Sequence, residues 1–464
     1  GHELVFAKTD RYAGKILCIR AGGSLSRQYH IRKQETIYVS KGTMIFEIKE
    51  GGGAPREIEM TEGMTFVINP GVIHRMTAVT DCEVFEVSTP ELDDVVRLSD
   101  SYGRVQREVY AVVMAGGSGT RFWPLSRRSR PKQLLDLDKQ GTLIRQTVDR
   151  VASIVPFDKI IVVTAADHEK EIREELPRLP AGNIIAEPCG RNTAACIGLA
   201  AVHINKISTQ AVMLVLPSDH KILDEERFAE TIGVGIKVAD EMGSMVTIGI
   251  HPQRPETGYG YIKAEGVRKK VDLYPVRDVA KFVEKPDIER AKRYVKDGNY
   301  FWNCGIFIWK VERYLEALKT YLPDHYVGLT EIGGAIGTAA AASTLARIYP
   351  TLTDVSVDYG IMEHGDNVVV IPSEFGWSDL GSWSSLSDVR TPDEDGNIAE
   401  GEVVALDVRD SVLLSPKKLL GVVGMTDVIV VDTEDAILVC PKSRAQDVKK
   451  LVEAIKARGF DRNL

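Results

Sequence analysis

The 464-residue sequence lacks any apolar run of the about 18 residues that a membrane-crossing helix needs, and no basic, apolar, small-residue leader opens it. The expected location is therefore the cytoplasm, with no membrane partner. Cysteine is sparse: Cys18, Cys82, Cys189, Cys196, Cys304 and Cys440 include no Cys-x-x-Cys pair and form no dense framework, so they read as reduced thiols. Positive charge is not in excess either. A net charge of -8 argues against non-specific nucleic-acid binding, which needs clustered Lys and Arg, so any phosphate is expected to be small and locally held. Initiator methionine is missing, and Gly1-His2 reads as a cloning remnant that carries no functional signal. What is present is the balance of a globular protein, 44% hydrophobic and 27% charged, with length for about two to four domains.

Three regions differ in pattern. Up to Arg104, short apolar runs such as KILCIRAGG, TIYVSKG and CEVFEVSTP alternate with Gly, Pro and Asn turns, which predicts an antiparallel sandwich or barrel. Residues 109–385 contain AVVMAGG, KIIVVTAAD, AVMLVLPSD and MVTIGI, apolar strands separated by helical stretches such as ERFAETIGVGIKVADEM. This predicts an α/β unit with a mixed, mostly parallel sheet. Residues 386–464 return to closely spaced strands, read as a stacked β-coil with a small sandwich as the alternative. They end in SRAQDVKKLVEAIKARG, an amphipathic helix with Ser443 at its expected N-cap and Val448, Leu451, Val452 and Ile455 on one face. Exposed strands there are expected to support self-association as a homodimer. AIGTAAAASTL reads as helix or connector without function.

The stretch from Met114 to Gln133, MAGGSGTRFWPLSRRSRPKQ, directly follows an apolar strand, where parallel sheets gather ligands. Gly116, Gly117 and Gly119 allow backbone N–H groups to approach a phosphate chain, and Ala115 leads into that turn. Arg121 and Lys132 add positive charge for a triphosphate and the pyrophosphate it releases. Neither a dinucleotide fingerprint, which needs Gly where Phe122 stands, nor a P-loop, which needs Gly-Lys-Ser/Thr, is satisfied. A glycine turn after a strand is structural as often as functional; its conjunction with Arg and Lys points to phosphate. Asp219 closes the run AVMLVLP, and Asp379 lies in an aromatic-flanked turn. Two carboxylates with phosphate oxygens suit Mg²⁺, although a lone Asp after a strand is more often a helix cap, and Asp379 alone would read as a turn residue.

From Val109 to Gly459 the sequence resembles the mannose-1-phosphate guanylyltransferases, nucleotidyltransferases with a Rossmann-like domain. The resemblance rests on GGSGTRFWPLSR with PKQ, EPCGRNTA, LPSDH, ETGYGYI, FVEKP, WNCGIF, SVDYGIME and WSDLGSW, in that order. Departures are small: Phe122 stands where Leu is usual and Ala195 where Pro is expected. The resemblance implies transfer of GMP from GTP to mannose 1-phosphate, giving GDP-mannose and pyrophosphate by direct in-line displacement, with Mg²⁺ on Asp219 and Asp379. It also implies sugar-phosphate contacts from Glu284 and Lys285, whose bland alternative is a surface ion pair. Gly258, Tyr259 and Asn303 are expected at the sugar. Arg191 and Asn192 either reach the nucleotide or organise their loop.

A second constellation precedes this one. Gln28, His30 and Glu35 lie on or beside one short strand and His74 follows a Pro-Gly turn, a set able to converge on one divalent metal. The spacing resembles the cupin domain of type II phosphomannose isomerases, which implies a transition metal (Zn²⁺, Mn²⁺ or Co²⁺) and interconversion of mannose 6-phosphate and fructose 6-phosphate. Arg32, Lys33 and Arg104 are candidates for holding the phosphate. Isomerases of this type carry a His-rich, Trp-containing stretch where this sequence reads HIRKQETI, and familiar bifunctional proteins place the cupin after the transferase. Three readings follow: a transferase with an active isomerase, a transferase whose cupin only binds metal or a metabolite, and a silent regulatory homologue. The last should have lost a metal carboxylate or the cationic loop, and Asp219, Asp379, Arg121 and Lys132 are all present. Another base or hexose 1-phosphate is the alternative for the transfer itself.

Overall fold

Alternation of inward and outward residues in most of its strands builds the first unit, Gly1–Arg107. In the strand Glu35–Lys41, Glu35, Ile37 and Val39 are buried while Thr36 and Tyr38 face solvent. Such strands form two five-stranded antiparallel sheets in the computed structural model. One runs His2–Lys8, Ala13–Ile19, Cys82–Ser88, Glu35–Lys41, Thr65–Ile68; the other runs Val96–Ser99, Arg27–Tyr29, Ile73–Ala78, Thr43–Lys49, Arg56–Thr61. Leu17, Ile37, Val39, Phe46, Ile48, Met76 and Val84 fill the space between them. His2 pairs with Cys18 in an edge strand. The structure describes residues 2–30, 32–49, 56–92, 94–99, 108–117, 119–271 and 274–464. Arg104 and the first-domain boundary placed there lie outside the described residues.

The second unit spans Glu108–Leu464. Its nine-stranded mixed sheet has four parallel strands at one side, in the order Ile184–Glu187, Ile160–Ala165, Val109–Ala115, Val212–Pro217. Tyr300–Lys310 follows, antiparallel to Val212–Pro217 and to Met245–Ile250, which itself runs parallel to Val368–Ser373. The long strands Tyr274–Val283 and Tyr261–Val271 complete the sheet. Because both faces are covered, successive residues of one strand enter opposite cores. Ala111 and Val113 pack with helices Leu143–Val151 and Glu225–Met242, whereas Tyr110 and Val112 pack with Asn192–Ile207. This leaves the carboxyl ends of the parallel strands as the open edge where loops collect.

The terminal strands Ile398–Leu406, Val412–Val423 and Val428–Asp432 are parallel neighbours, as a stacked coil requires, and Ile437–Pro441 closes them antiparallel. Their inward residues Ile398, Val412, Leu414, Ile429 and Val431 share one core with Phe122, Trp123, Leu380 and Trp383. The last helix begins at Val448, not after Ser443: Lys442–Asp447 forms a tighter 3₁₀ turn first, and no side chain caps the helix. That turn places Ala445 and Val448, three apart, on the same buried side. Residues Ala341–Ile348 of the alanine-rich segment are helical. All six cysteines are free. Among the described residues, no helix is long and apolar enough to cross a membrane.

Candidate functional site

Strand Val109–Ala115 ends at Gly116 and Gly117, and the chain turns at Gly119 into the 3₁₀ segment Thr120–Phe122. Gly119 has φ +56, and a Cβ there would stand 2.3 Å from the Cβ of Lys132; only glycine lets the two loops touch. Gln133 fastens the same turn by donating from Nε2 to the carbonyls of Ala115 (2.8 Å) and Gly117 (3.2 Å). Phe122 is fully buried edge-on to Trp383, with ring centroids 5.0 Å apart, so the larger ring at this position is absorbed by packing.

The two distant aspartates meet through a two-residue ladder in which Lys221 pairs with Ser378 and Ile222 with Trp377. This brings the loop after strand Val212–Pro217 beside the turn that carries Asp379. The Lys132 ammonium then donates to Asp219 Oδ2 at 2.7 Å and to the Asp379 backbone carbonyl at 2.5 Å. Burial pushes the Asp219 carboxyl up, but Lys132 and His220 beside it hold it below the usual carboxylate range. At Gly381 a Cβ would lie 2.8 Å from Asp379 Oδ2, so glycine leaves room for that carboxylate. Gly119, Arg121, Lys132, Asp219 and Asp379 all line one cavity of about 280 Å³. Both aspartates line this cavity, and their two carboxylates are a hard-oxygen donor set of the kind that fits Mg²⁺.

The other predicted residues divide. Tyr259 donates its hydroxyl to Asp379 Oδ1 at 2.7 Å, and its own ionisation is pushed far up by burial and by that carboxylate. The sugar-side group is contiguous: a Cβ on Gly260 would come within 2.4 Å of Glu284 Oε2, and the Asn303 N–H donates to the Gly260 carbonyl at 2.9 Å. Lys285, 58% exposed, pairs with Glu284 at 3.0 Å. Gly258 turns beside Glu256. Arg191 and Asn192 are engaged elsewhere: the guanidinium donates to the Pro350 carbonyl, and Asn192 Nδ2 to Asp354 at 3.0 Å. Of the two roles open to them, these contacts are loop-organising.

Two acids carry no local signal in the motifs that contain them. Asp358, in SVDYGIME, accepts from Asn303 Nδ2 at 2.6 Å, and burial pushes it up to about 6 against that bond. Glu187, in EPCGRNTA, lies 3% exposed behind the glycine turn, where a Cβ on Gly116 would stand 2.8 Å from its Oε2. Burial pushes its carboxyl up to about 7, although the Tyr349 hydroxyl donates to it.

In the first unit His30, Glu35 and His74 converge, their ligand atoms all within 4.8 Å of one another and all three residues buried. His30 Nδ1 faces the Asp94 carbonyl and His74 Nδ1 the Val72 carbonyl at 3.0 Å. A carbonyl has no proton, so each ring carries its own on Nδ1 and leaves Nε2 for the interior. Those Nε2 atoms stand 3.3 and 3.1 Å from the Glu35 oxygens, and His30 Nε2 and Glu35 Oε2 are buried without an aligned hydrogen bond. The Lys33 ammonium lies 2.6 Å from the same Oε2, and two imidazoles with a carboxylate, buried and converging, are a donor set that fits a divalent metal. Gln28 stands at the rim: its Oε1 accepts from Ser26 at 2.6 Å and its Nε2 lies 3.5 Å from His74, so ligation would need the amide turned over.

Lys33 is not a phosphate holder. It is 1% exposed, with Nζ 2.6 Å from Glu35 and 3.0 Å from Glu86, and is raised by those two acids against the effect of burial. Glu86 was legible as an inward residue, in phase with buried Cys82, Val84 and Ser88. Arg32 is exposed.

Comparison with known proteins gives three family matches. Residues 110–396 match the nucleotidyl transferase family, 401–455 the MannoseP isomerase/GMP-like beta-helix domain, and 15–88 the cupin domain. The mannose-1-phosphate guanylyltransferase of Escherichia coli (strain K12) is 40% identical over 362 residues, covering 76% of this chain and 75% of that protein. The alginate biosynthesis protein AlgA of Pseudomonas aeruginosa is 38% identical over 354 residues, covering 75% and 72%. Among solved structures, a mannose-1-phosphate geranyltransferase from Thermus thermophilus superposes with a TM-score of 0.67 at 33% identity, covering 75% of this chain and 99% of that one.

Proposed function

Since the chain belongs to the nucleotidyl transferase family and, within it, to the mannose-1-phosphate guanylyltransferases, we propose that it transfers GMP from GTP to mannose 1-phosphate, forming GDP-mannose and pyrophosphate. The observation that carries this reading is the Lys132 ammonium joined to Asp219 and to the Asp379 backbone beside the glycine turn. Asp219 and Asp379 would hold Mg²⁺, which supplies charge neutralisation at the α-phosphate. Backbone N–H groups of the glycine turn and the Arg121 guanidinium bind the phosphate chain. Glu284, Lys285 and Asn303 orient the sugar phosphate. A phosphate oxygen of mannose 1-phosphate then bonds to the α-phosphorus as the bond to the β-phosphate oxygen breaks, with that electron pair leaving on pyrophosphate. The nucleophile is already anionic near neutral pH, so no side chain need take a proton, and positioning with electrostatics supplies the rate. A GTP-consuming reaction and six free thiols fit the cytoplasm.

The test is pyrophosphate release measured over four nucleoside triphosphates and several hexose 1-phosphates. GTP with mannose 1-phosphate should lead; a preference for ATP or UTP would overturn the guanylyl assignment. For the cupin, the converging His30, Glu35 and His74 support binding of Zn²⁺, Mn²⁺ or Co²⁺. Mannose 6-phosphate supplied with each ion decides between an isomerase and a binding module: fructose 6-phosphate supports the first, and its absence with every ion leaves the second.

A further inference from the structure

The last helix, Val448–Ala457, does not merely cover the end of the β-coil. Its first turn brings Lys449 to the wall of the cavity that also holds Arg121, Lys132, Asp219 and Asp379. The placement is held from both sides. Val448 is buried in the core that contains Phe122 and Trp383, while the Trp123 indole N–H donates to the Asn463 carbonyl at 2.7 Å. Arg127, four residues on, pairs with Asp435 at 2.7 Å. The segment that continues the glycine turn and the end of the chain are therefore packed together.

The helix adds a cation to a cavity that must hold a highly charged ligand. Two aspartates offset the charge of a divalent ion held between them, so the charge of the triphosphate falls to side chains. Lys132 is already engaged by Asp219 and the Asp379 carbonyl. That leaves Arg121, and as pyrophosphate departs its negative charge grows. Among the described residues neither Arg121 nor Lys449 has an ionic partner, whereas Lys450 beside it is paired with Asp447 at 2.8 Å. An exposed, unpaired ammonium at the wall of an anion cavity has no ion pair to break when it turns toward phosphate.

We propose that Lys449 is a further phosphate-binding residue of the transfer reaction, supplied by the carboxy-terminal helix to the β- and γ-phosphate oxygens of the nucleotide and to the departing pyrophosphate. The proposal rests on the guanylyl-transfer reading. It also gives the terminal unit a part in the chemistry, because the helix that carries Lys449 is positioned by the coil beneath it.

The experiment uses the full chain. Lys449→Met is expected to raise the KM for GTP and the inhibition constant of pyrophosphate at least about tenfold, the size of a lost charge-assisted hydrogen bond. The KM for mannose 1-phosphate and the melting temperature should hold, since Lys449 is exposed and unpaired. Lys449→Arg should keep most of the affinity, Lys449→Glu should lose more than Met, and pyrophosphate binding by Lys449→Met should depend less on salt. Unchanged pyrophosphate affinity in Lys449→Met, an equal loss in Lys449→Arg, or an effect confined to mannose 1-phosphate overturns the assignment. If the unaltered protein releases no pyrophosphate from GTP and mannose 1-phosphate, the guanylyl reading fails; calorimetric binding of pyrophosphate to the same variants still decides Lys449.

Discussion

Replacing Tyr259 by phenylalanine removes one oxygen and little else. The ring keeps its edge-on contacts with Trp302 (centroids 5.2 Å apart) and Trp377 (5.1 Å), so the aromatic cluster and the fold should survive. What goes is the 2.7 Å hydrogen bond to Asp379 Oδ1. A bond to a charged group contributes about 1.5–3 kcal/mol, which at about 1.4 kcal/mol per factor of ten is roughly 10- to 150-fold in kcat/KM. That applies if the hydroxyl holds Asp379 in the orientation the transition state needs. Steady-state pyrophosphate release should therefore show a lower kcat and a higher Mg²⁺ concentration for half-maximal rate, with the KM for mannose 1-phosphate unchanged. A raised KM for the sugar phosphate with unaltered Mg²⁺ dependence would return Tyr259 to the sugar. Rates equal to the parent's would refute any role through Asp379.

Asp219→Ala and Asp379→Ala should each lower turnover by roughly two orders of magnitude or more with circular dichroism unchanged, and a near-normal rate in either removes that residue from the metal site. Glu187 should make stability fall with rising pH. Its folded value, about 7, lies above the usual glutamate value, so its contribution is complete below that usual value and is lost as pH climbs through 7, a span of about 3 kcal/mol. Thermal melts of Glu187→Gln should be flatter than the parent's between about pH 5 and 8, and parallel curves would count against the buried carboxylate. In the cupin, Lys33 holds a positive charge against Glu35, so Lys33→Met should tighten Mn²⁺ or Zn²⁺ binding roughly tenfold or more. Chelator competition, with His74→Ala subtracting metal held elsewhere, reads this directly; weaker or equal binding would show that the ammonium does not oppose the metal.

The transferase centre was legible because its groups sit where sequence patterns change. Asp219 follows an apolar strand, Gly119 stands in a glycine-rich turn, and Lys132 opens the short buried 3₁₀ segment Lys132–Leu134. Each has a local signal, and the structure brings them together. The partners were not legible where contact is set by chain segments far apart. Arg191 could be read as a nucleotide cation until the Pro350 carbonyl, 159 residues away, was seen to take its guanidinium. Lys33 lies between strands, where alternation gives no phase, so nothing local distinguished a buried counter-ion from a surface cation. Tyr259 was read by its flanking glycines as a sugar contact, and the carboxylate it meets lies 120 residues on.

The terminal unit follows the same logic. Strand spacing identifies the coil as its own repeat, and the amphipathic stripe predicts a docked helix, but neither names the surface it docks on. Hydrophobic burial has no address in a sequence: Val448, Val452 and Ile455 would bury equally well against any apolar face. Here that face includes Phe122 and Trp123, which follow Arg121 directly, so the helix packs on the segment that continues the glycine turn. Loosening the coil should therefore disturb the glycine turn before it reaches the sheet, since the segment that continues that turn shares its core while the parallel strands are held by cores of their own.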